Sequence, residues 1–347
     1  MYRLRMELLE RLGVGLAMGC LVVGCGGRAA ISEDPGAGGA GAPSGGRGEV
    51  FPGQVCPYLA STPEPEEHVK IACGGTCTFA ACSSGPCAEP EIVVVPFERT
   101  TALALDDRDL YMATNDYHPN GDLVTRISRY QIDQHGGGQI SIVAGMVHGL
   151  AVHGGRLYWT VEPGKNDATP GYVGSMVLPN GSIERFETTG HPWGIAVGDD
   201  TAYWADFDKG VFSTATRNGL FVGTPSFFAG GENVAGVAIE DGSVYWAQRN
   251  LDNSIRGKAL GEPNRTGTLF ACNQLWPGSI VADAQRLYWI NQHIDLETGQ
   301  IMTLKRSGGT PQVLVDGREN LDGTTLAGTT TDLYWVERDH FIMHLQK

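Results

Sequence analysis

Residues 194–206 read Gly-Ile-Ala-Val-Gly-Asp-Asp-Thr-Ala-Tyr-Trp-Ala-Asp: an apolar run, an Asp-rich turn, then a second run centred on Tyr203 and Trp204. Two short apolar runs joined by a tight polar turn are a hairpin signal. Variants of this phrase occur six times, with Tyr111, Tyr158, Tyr203, Tyr245, Tyr288 and Tyr334 in register. Trp follows in five of them, as Trp159, Trp204, Trp246, Trp289 and Trp335, and Met112 stands in the first. The spacings are 47, 45, 42, 43 and 46 residues. A repeat of about 40–50 residues made of short strands marks a β-propeller, each unit forming one blade. The fold class expected is therefore all-β, a propeller of six blades.

Each unit divides into four strands with Gly, Asp and Asn at the turns. In the third unit these are 194–197, 201–205, 210–216 and 220–228; in the fourth, 234–240, 242–248, 254–260 and 267–272. The last unit offers only 324–329, 332–337 and 340–346, one strand too few. Ile92-Val93-Val94-Val95-Pro96-Phe97 is a strong β-former that precedes the first repeat and belongs to no unit. It is expected to complete blade six as the outer strand, so that hydrogen bonds join the two ends of the ring. Pro96 suits an outer strand, which has one unpaired side.

Ahead of the repeats, residues 1–24 carry Arg3, Arg5 and Arg11 and then an apolar run from 13 to 24, too short to span a bilayer. The run ends Val22-Val23-Gly24-Cys25, which resembles the lipobox of bacterial lipoproteins. That resemblance implies a lipid on Cys25, export, and anchoring to the outer membrane, since Gly26 rather than Asp follows the lipid site. A plain secretory signal, or processing at Cys20, are the other readings. Residues 25–55 are rich in Gly, Ala, Pro and Ser and are expected to form a flexible tether of roughly 30 Å root-mean-square span.

Residues 56–90 hold Cys56, Cys73, Cys77, Cys82 and Cys87. In an exported chain disulfides are the default; zinc is the alternative, although the gaps lack paired C-x-x-C and only His68 lies near. Cys272 ends the outer strand of blade four and is expected to be a free, buried thiol. The propeller occupies residues 91–347.

The phrases GIAV…YWAD at 194–206 and LAVHGGRLYWT at 150–160 resemble the YWTD (LDL-receptor class B-like) six-bladed propellers, and more closely related repeats in secreted bacterial lipoproteins. The likeness covers residues 92–347 and speaks to fold. The Asp that follows Tyr-Trp-Thr in that family is kept only as Asp206; Val161, Gln248, Asn291 and Glu337 stand in the other Trp-bearing units.

In a propeller the loops entering each inner strand and those leaving each second strand share one face, around the channel mouth. Here the first set brings His148, His191, Trp193, Asn233, Trp276 and Asn320; the second brings His118, Glu162, Asp206, Asp208, Arg249, His293, Glu337 and Asp339. Aromatic, imidazole and charged groups on one face suit recognition. The simpler reading is that the Trp-containing segments are turns packing over the blade edge. The turn residues Asp106, Asp199, Asp241 and Asp283 belong to the opposite face and are expected to shape turns.

A binding or scaffold module for an envelope protein, peptide or glycan is favoured, as a monomer touching the membrane only through its anchor. The alternative is a gluconolactonase-like hydrolase with Ca²⁺ or Zn²⁺ at the channel centre, for which Glu162, Asn233, Asn291 and Glu337 have suitable chemistry. No cofactor is otherwise expected, and no nucleophile motif is present. A net charge of −14 disfavours nucleic acid, whose affinity rests on neutralising phosphates. The anchor is directly testable: Cys25→Ser should abolish incorporation of radiolabelled palmitate, and a mutant labelled as well as the wild type would show that Cys25 is not the lipid site.

Overall fold

The structure is a computed structural model. It describes residues 90–347 except 95, 97, 107, 118–122, 164–169, 250, 251 and 294–296, all within the compact unit Arg47–Lys347. Cys25 and the five clustered cysteines lie outside the described residues.

Six four-stranded antiparallel sheets form the blades. Blade one is β2 (Thr100–Leu105), β3 (Asp109–Tyr117), β4 (Leu123–Gln131) and β5 (Gly136–Ala144), following β1 (Glu91–Val94). Blade two is β6 (Val147–His153), β7 (Arg156–Val161), β8 (Tyr172–Val177) and β9 (Ile183–Glu187). Blade three is β10 (Pro192–Val197), β11 (Thr201–Asp206), β12 (Gly210–Arg217) and β13 (Leu220–Ala229). Blade four is β14 (Val234–Glu240), β15 (Ser243–Gln248), β16 (Ser254–Ala259) and β17 (Thr268–Ala271). Blade five is β18 (Pro277–Ala282), β19 (Arg286–His293), β20 (Thr298–Lys305) and β21 (Gln312–Glu319). Blade six is β22 (Ala327–Gly328), β23 (Asp332–Glu337) and β24 (Phe341–Gln346), with β1 as its outer strand.

The Tyr-Trp dipeptide explains why these sheets assemble. Neighbouring residues of a strand point to opposite faces, so Tyr and Trp serve two different seams. Tyr203 and Ala205 of blade three pack with Val244 and Trp246 of blade four. Tyr245 and Ala247 meet Leu287 and Trp289 in the next seam, and Tyr288 and Ile290 meet Leu333 and Trp335 in the one after. Tyr111 meets Trp159, and Tyr158 meets Trp204, in the same order. The five Trp residues are between 0 and 1 % exposed, so each seam is dry. At the sixth seam Tyr334 and Val336 face Leu110 and Met112, and Val93 and Val94 of β1 pack beside them. Met112 occupies the closing seam, where a flexible side chain fills space left by a flat ring elsewhere.

Closure by the N-terminal strand is as the sequence predicts, in a shorter form. Glu91 pairs with His344, Ile92 with Met343 and Val94 with Ile342, with an irregularity between Ile92 and Val94. The ladder ends before Pro96, which therefore never has to sit inside it. The inner strand of blade six is also shorter than the expected 324–329. There Thr325 Oγ1 donates to the Asp322 carbonyl and accepts from the Val336 N–H at 3.2 Å, and Asp322 Oδ1 accepts from the Thr324 N–H at 2.9 Å. Side-chain bonds have replaced ladder bonds, as Thr and Asp commonly do at strand ends. A second difference concerns Cys272, which is disulfide-bonded and not a free thiol. Every other cysteine of the chain lies outside the described residues.

His344 ties the closure together. Its Nδ1 lies 2.9 Å from Glu91 and its Nε2 2.7 Å from Asp332, while its ring stacks on Tyr334 at 4.7 Å. Burial opposes its charge, but hydrogen bonds to Asp332 and Glu91 and the charge of both carboxylates outweigh this and raise its pKa. Asp332 is shifted down: burial is overcome by hydrogen bonds from Thr331 and His344. A raised His pKa stabilises fully below the unfolded value of about 6.5 and is lost as pH rises through the folded value. A lowered Asp pKa stabilises above about 3.9 and is lost on acidification. The melting-temperature gap between wild type and His344→Gln should therefore be widest near pH ~5–6 and narrow by pH ~9. A gap that grows towards alkaline pH would contradict this pairing. Removal of β1 by starting the chain at residue 99 should lower the melting temperature markedly and cause aggregation, because β24 would become an open edge; an unchanged cooperative transition would mean that the ring closes without it.

Candidate functional site

The start of each inner strand and the end of each second strand are joined by one recurring backbone bond. Asn115, Glu162, Phe207, Arg249, Gln292 and Arg338 donate their N–H to the carbonyls of Arg99, Met146, His191, Asn233, Leu275 and Asn320, at 2.7 to 3.1 Å. These donors all lie four residues after the Tyr of their unit. This bond locks the two loop sets predicted for the mouth into a common rim.

Alternation along the strand then sorts the side chains. The residues three after each Tyr are buried: Thr114, Val161, Asp206, Gln248, Asn291 and Glu337 are all 7 % exposed or less. They fasten blades rather than face the rim. Asn291 donates to Gln274 Oε1 at 3.1 Å and accepts from the Trp289 indole at 3.0 Å. Glu337 holds Arg318 of blade five at 2.6 and 2.8 Å and accepts from the Trp335 indole at 2.7 Å. Asp206 packs against Gly190, and burial raises its pKa, offset in part by Lys209 and the Asp208 N–H.

Of the residues four after each Tyr, Glu162, Phe207, Arg249 and Gln292 join one cluster at the rim. The largest cluster spans blades two to five. His148 stacks on Trp193, with centroids 5.1 Å apart and 8° between planes, and Trp193 stacks on Phe207 at 4.6 Å. The Arg249 guanidinium lies over Trp193 at 5.4 Å and over Trp276 at 5.5 Å, held between the two indoles. His148 Nε2 is 2.7 Å from Glu162, and this bond lowers the Glu162 pKa against the opposing effect of burial. His191 bonds Asp208, which raises its pKa. Trp276 is 40 % exposed and adopts a left-handed backbone with φ 47°, a conformation that costs a bulky residue about 1–2 kcal/mol.

Of the residues singled out from sequence, His148, Trp193, Arg249 and Trp276 are thus brought together, with Glu162 behind them. His191 and Asp208 pair beside this group. Asn233 and Asn320 have positive φ of 63° and 46° and shape the rim through their backbones. Asp206 is buried, His293 ends β19, and Asp339 lies 3.3 Å from Arg99. His118 lies outside the described residues. Phe207 and Gln292 belong to the cluster but escaped the sequence reading, although their register four residues after Tyr203 and Tyr288 marked them. On the opposite face, Asp106 caps its turn by accepting from the Arg108 and Asp109 N–H groups, and Asp283 does the same for Gln285 and Arg286.

The central channel is a cavity of about 210 Å³ lined by the inner strands, with Leu105, Val152, Val197 and Ile239 among its walls. Among the described residues, the polar side chains that line it are His148, Ser279 and Thr324. None of Glu162, Asn233, Asn291 and Glu337 lines it, and among the described residues no group of three His, Cys, Asp or Glu side chains could hold a metal ion. Three of the four are engaged at separate places, Glu162 with His148, Asn291 with Gln274 and Glu337 with Arg318, so the set does not fit a common metal.

No protein-family model matches the sequence, and no curated protein matches it. Solved structures do match in fold. A chain of a nidogen/laminin complex is 20 % identical with a TM-score of 0.50, over 61 % of this chain and 82 % of that one. A glucose dehydrogenase is 14 % identical with a TM-score of 0.53, over 75 % and 100 %. A gluconolactonase from Xanthomonas campestris is 11 % identical with a TM-score of 0.49, over 76 % and 99 %. At these identities the likeness establishes the fold, a six-bladed β-propeller of YWTD-like form.

Proposed function

We propose that this chain is an exported lipoprotein, held to the bacterial outer membrane through Cys25 and the tether of residues 25–55, whose propeller binds a protein, peptide or glycan of the cell envelope. The mouth face is the binding surface. The observation that carries this reading is Trp276, kept partly exposed in a costly backbone conformation beside a buried arginine. Strain and exposure of a large aromatic are retained where they serve recognition. The Trp193, Phe207 and His148 stack supplies the rigid, low-entropy anchors that hot spots are made of. That a similar fold occurs in a nidogen/laminin complex is in keeping with a protein partner. The hydrolase alternative draws no support from the geometry, because three of its four candidate ligands, Glu162, Asn291 and Glu337, are engaged at separate places.

The test is affinity capture of envelope proteins and glycans on the immobilised full chain. Trp193→Ala and Trp276→Ala should each reduce the captured ligand about tenfold or more, the loss typical of a hot-spot aromatic. Ile183→Ala, on the exposed outer strand of blade two, should capture as the wild type does. Equal capture by all four proteins would place binding elsewhere.

A further inference from the structure

Arg249 is 8 % exposed, yet no carboxylate bonds it among the described residues. Its Nε donates to the Pro277 carbonyl at 2.9 Å and its Nη2 to Gln292 Oε1 at 3.3 Å, both neutral acceptors. Its Nη1 has no hydrogen-bond partner among the described residues and is not sealed from solvent. The carboxylate that acts on it from further away is Asp322, which is already occupied by Arg99 at 3.5 Å and by the Thr324 N–H and hydroxyl. Burial lowers the arginine pKa to about 10, so it remains charged at neutral pH. A desolvated cation bonded only to neutral acceptors is costly, and its counter-charge, Asp322, acts only from a distance.

We propose that the Arg249 guanidinium, clamped between Trp193 and Trp276, anchors a carboxylate of an acidic peptide segment in the ligand. This rests on the mouth face being the binding surface. Both indoles lie within 5.5 Å of the guanidinium, and Nη1 is left to donate to a carboxylate oxygen in a charge-assisted bond. The surroundings favour a peptide over a uronic-acid glycan. Leu275 and Trp276, 43 % and 40 % exposed, offer apolar cover for a side chain next to the acid. The Gln292 amide, which Arg249 touches, is already used, its oxygen by Arg249 and its nitrogen on the Leu321 carbonyl at 2.9 Å. Sugar hydroxyls placed there would lose hydrogen bonds to water without replacement. The chain's charge of −14 repels acids at long range, so selection falls to the short-range contact at Arg249.

The experiment titrates the full chain with acetyl-Leu-Glu-amide, its neutral match acetyl-Leu-Gln-amide, and glucuronate, up to about 10 mM, a range that detects binding of only a few kcal/mol. The readout is tryptophan fluorescence. The Glu peptide should bind saturably and about tenfold or more tighter than the Gln peptide, the difference expected of one charge-assisted bond. Arg249→Gln should erase that difference. Should Arg249→Gln fail to fold, Trp276→Leu decides instead: it keeps the cation and should weaken both peptides while preserving their ratio. Equal binding of the two peptides, no binding of either, or tighter binding of glucuronate than of the Glu peptide would overturn the proposal. Capture of an envelope ligand that depends on Trp276 but ignores Arg249→Gln would sink this inference alone; capture indifferent to both would sink the mouth-face reading beneath it.

Discussion

The molecule depends on one contact repeated around a ring: the Tyr of one blade packed against the Trp of the next. Because adjacent residues on a strand face opposite ways, a single dipeptide equips each blade for both neighbours. The rings are large and flat, so the seams can be dry and close without interlocking chains. Glycines allow the inner strands to follow. A Cβ on Gly236 would sit 2.5 Å from the Gly278 carbonyl, and one on Gly278 would run into the Gly323 carbonyl. The close approach of these backbones brings the mouth loops of blades four, five and six within reach of one another.

Specific polar links then register the blades. Tyr158 donates to the Gly219 carbonyl across one seam, and Tyr245 accepts from Arg306 across another. Asn291 and Glu337 fasten blades five and six to the segments that lead into them, although neither is the Asp found in the YWTD pattern. At both positions the side chain accepts a hydrogen bond from the indole two residues earlier. In blades three and four the indoles of Trp204 and Trp246 find no acceptor among the described residues.

At the mouth, the same scaffold holds a cation of blade four that touches residues of blades three and five. Arg249 bonds two neutral oxygens and stacks on two indoles, and Trp276 sits at a backbone angle that few large residues adopt. Local strain at Trp276 and a buried cation bonded only to neutral oxygens, together at one rim, are departures from consistency of the kind that mark a functional surface.

The sequence by itself determined the repeat, the number of blades, the aromatic seams and the closing strand. Each of these follows from periodicity and from a count of strands, both of which are local. The ends of β1 and β22 were less legible, because side-chain bonds from Asp322 and Thr325 compete with ladder bonds over a few residues. Tertiary structure alone decided which rim residues share a surface. Asp206 and Phe207 are adjacent in the chain, but alternation buries the first in a seam and stacks the second on Trp193. Arg249, Trp193 and Trp276 come from three blades, and only the closed ring places a charge from one between rings from the other two.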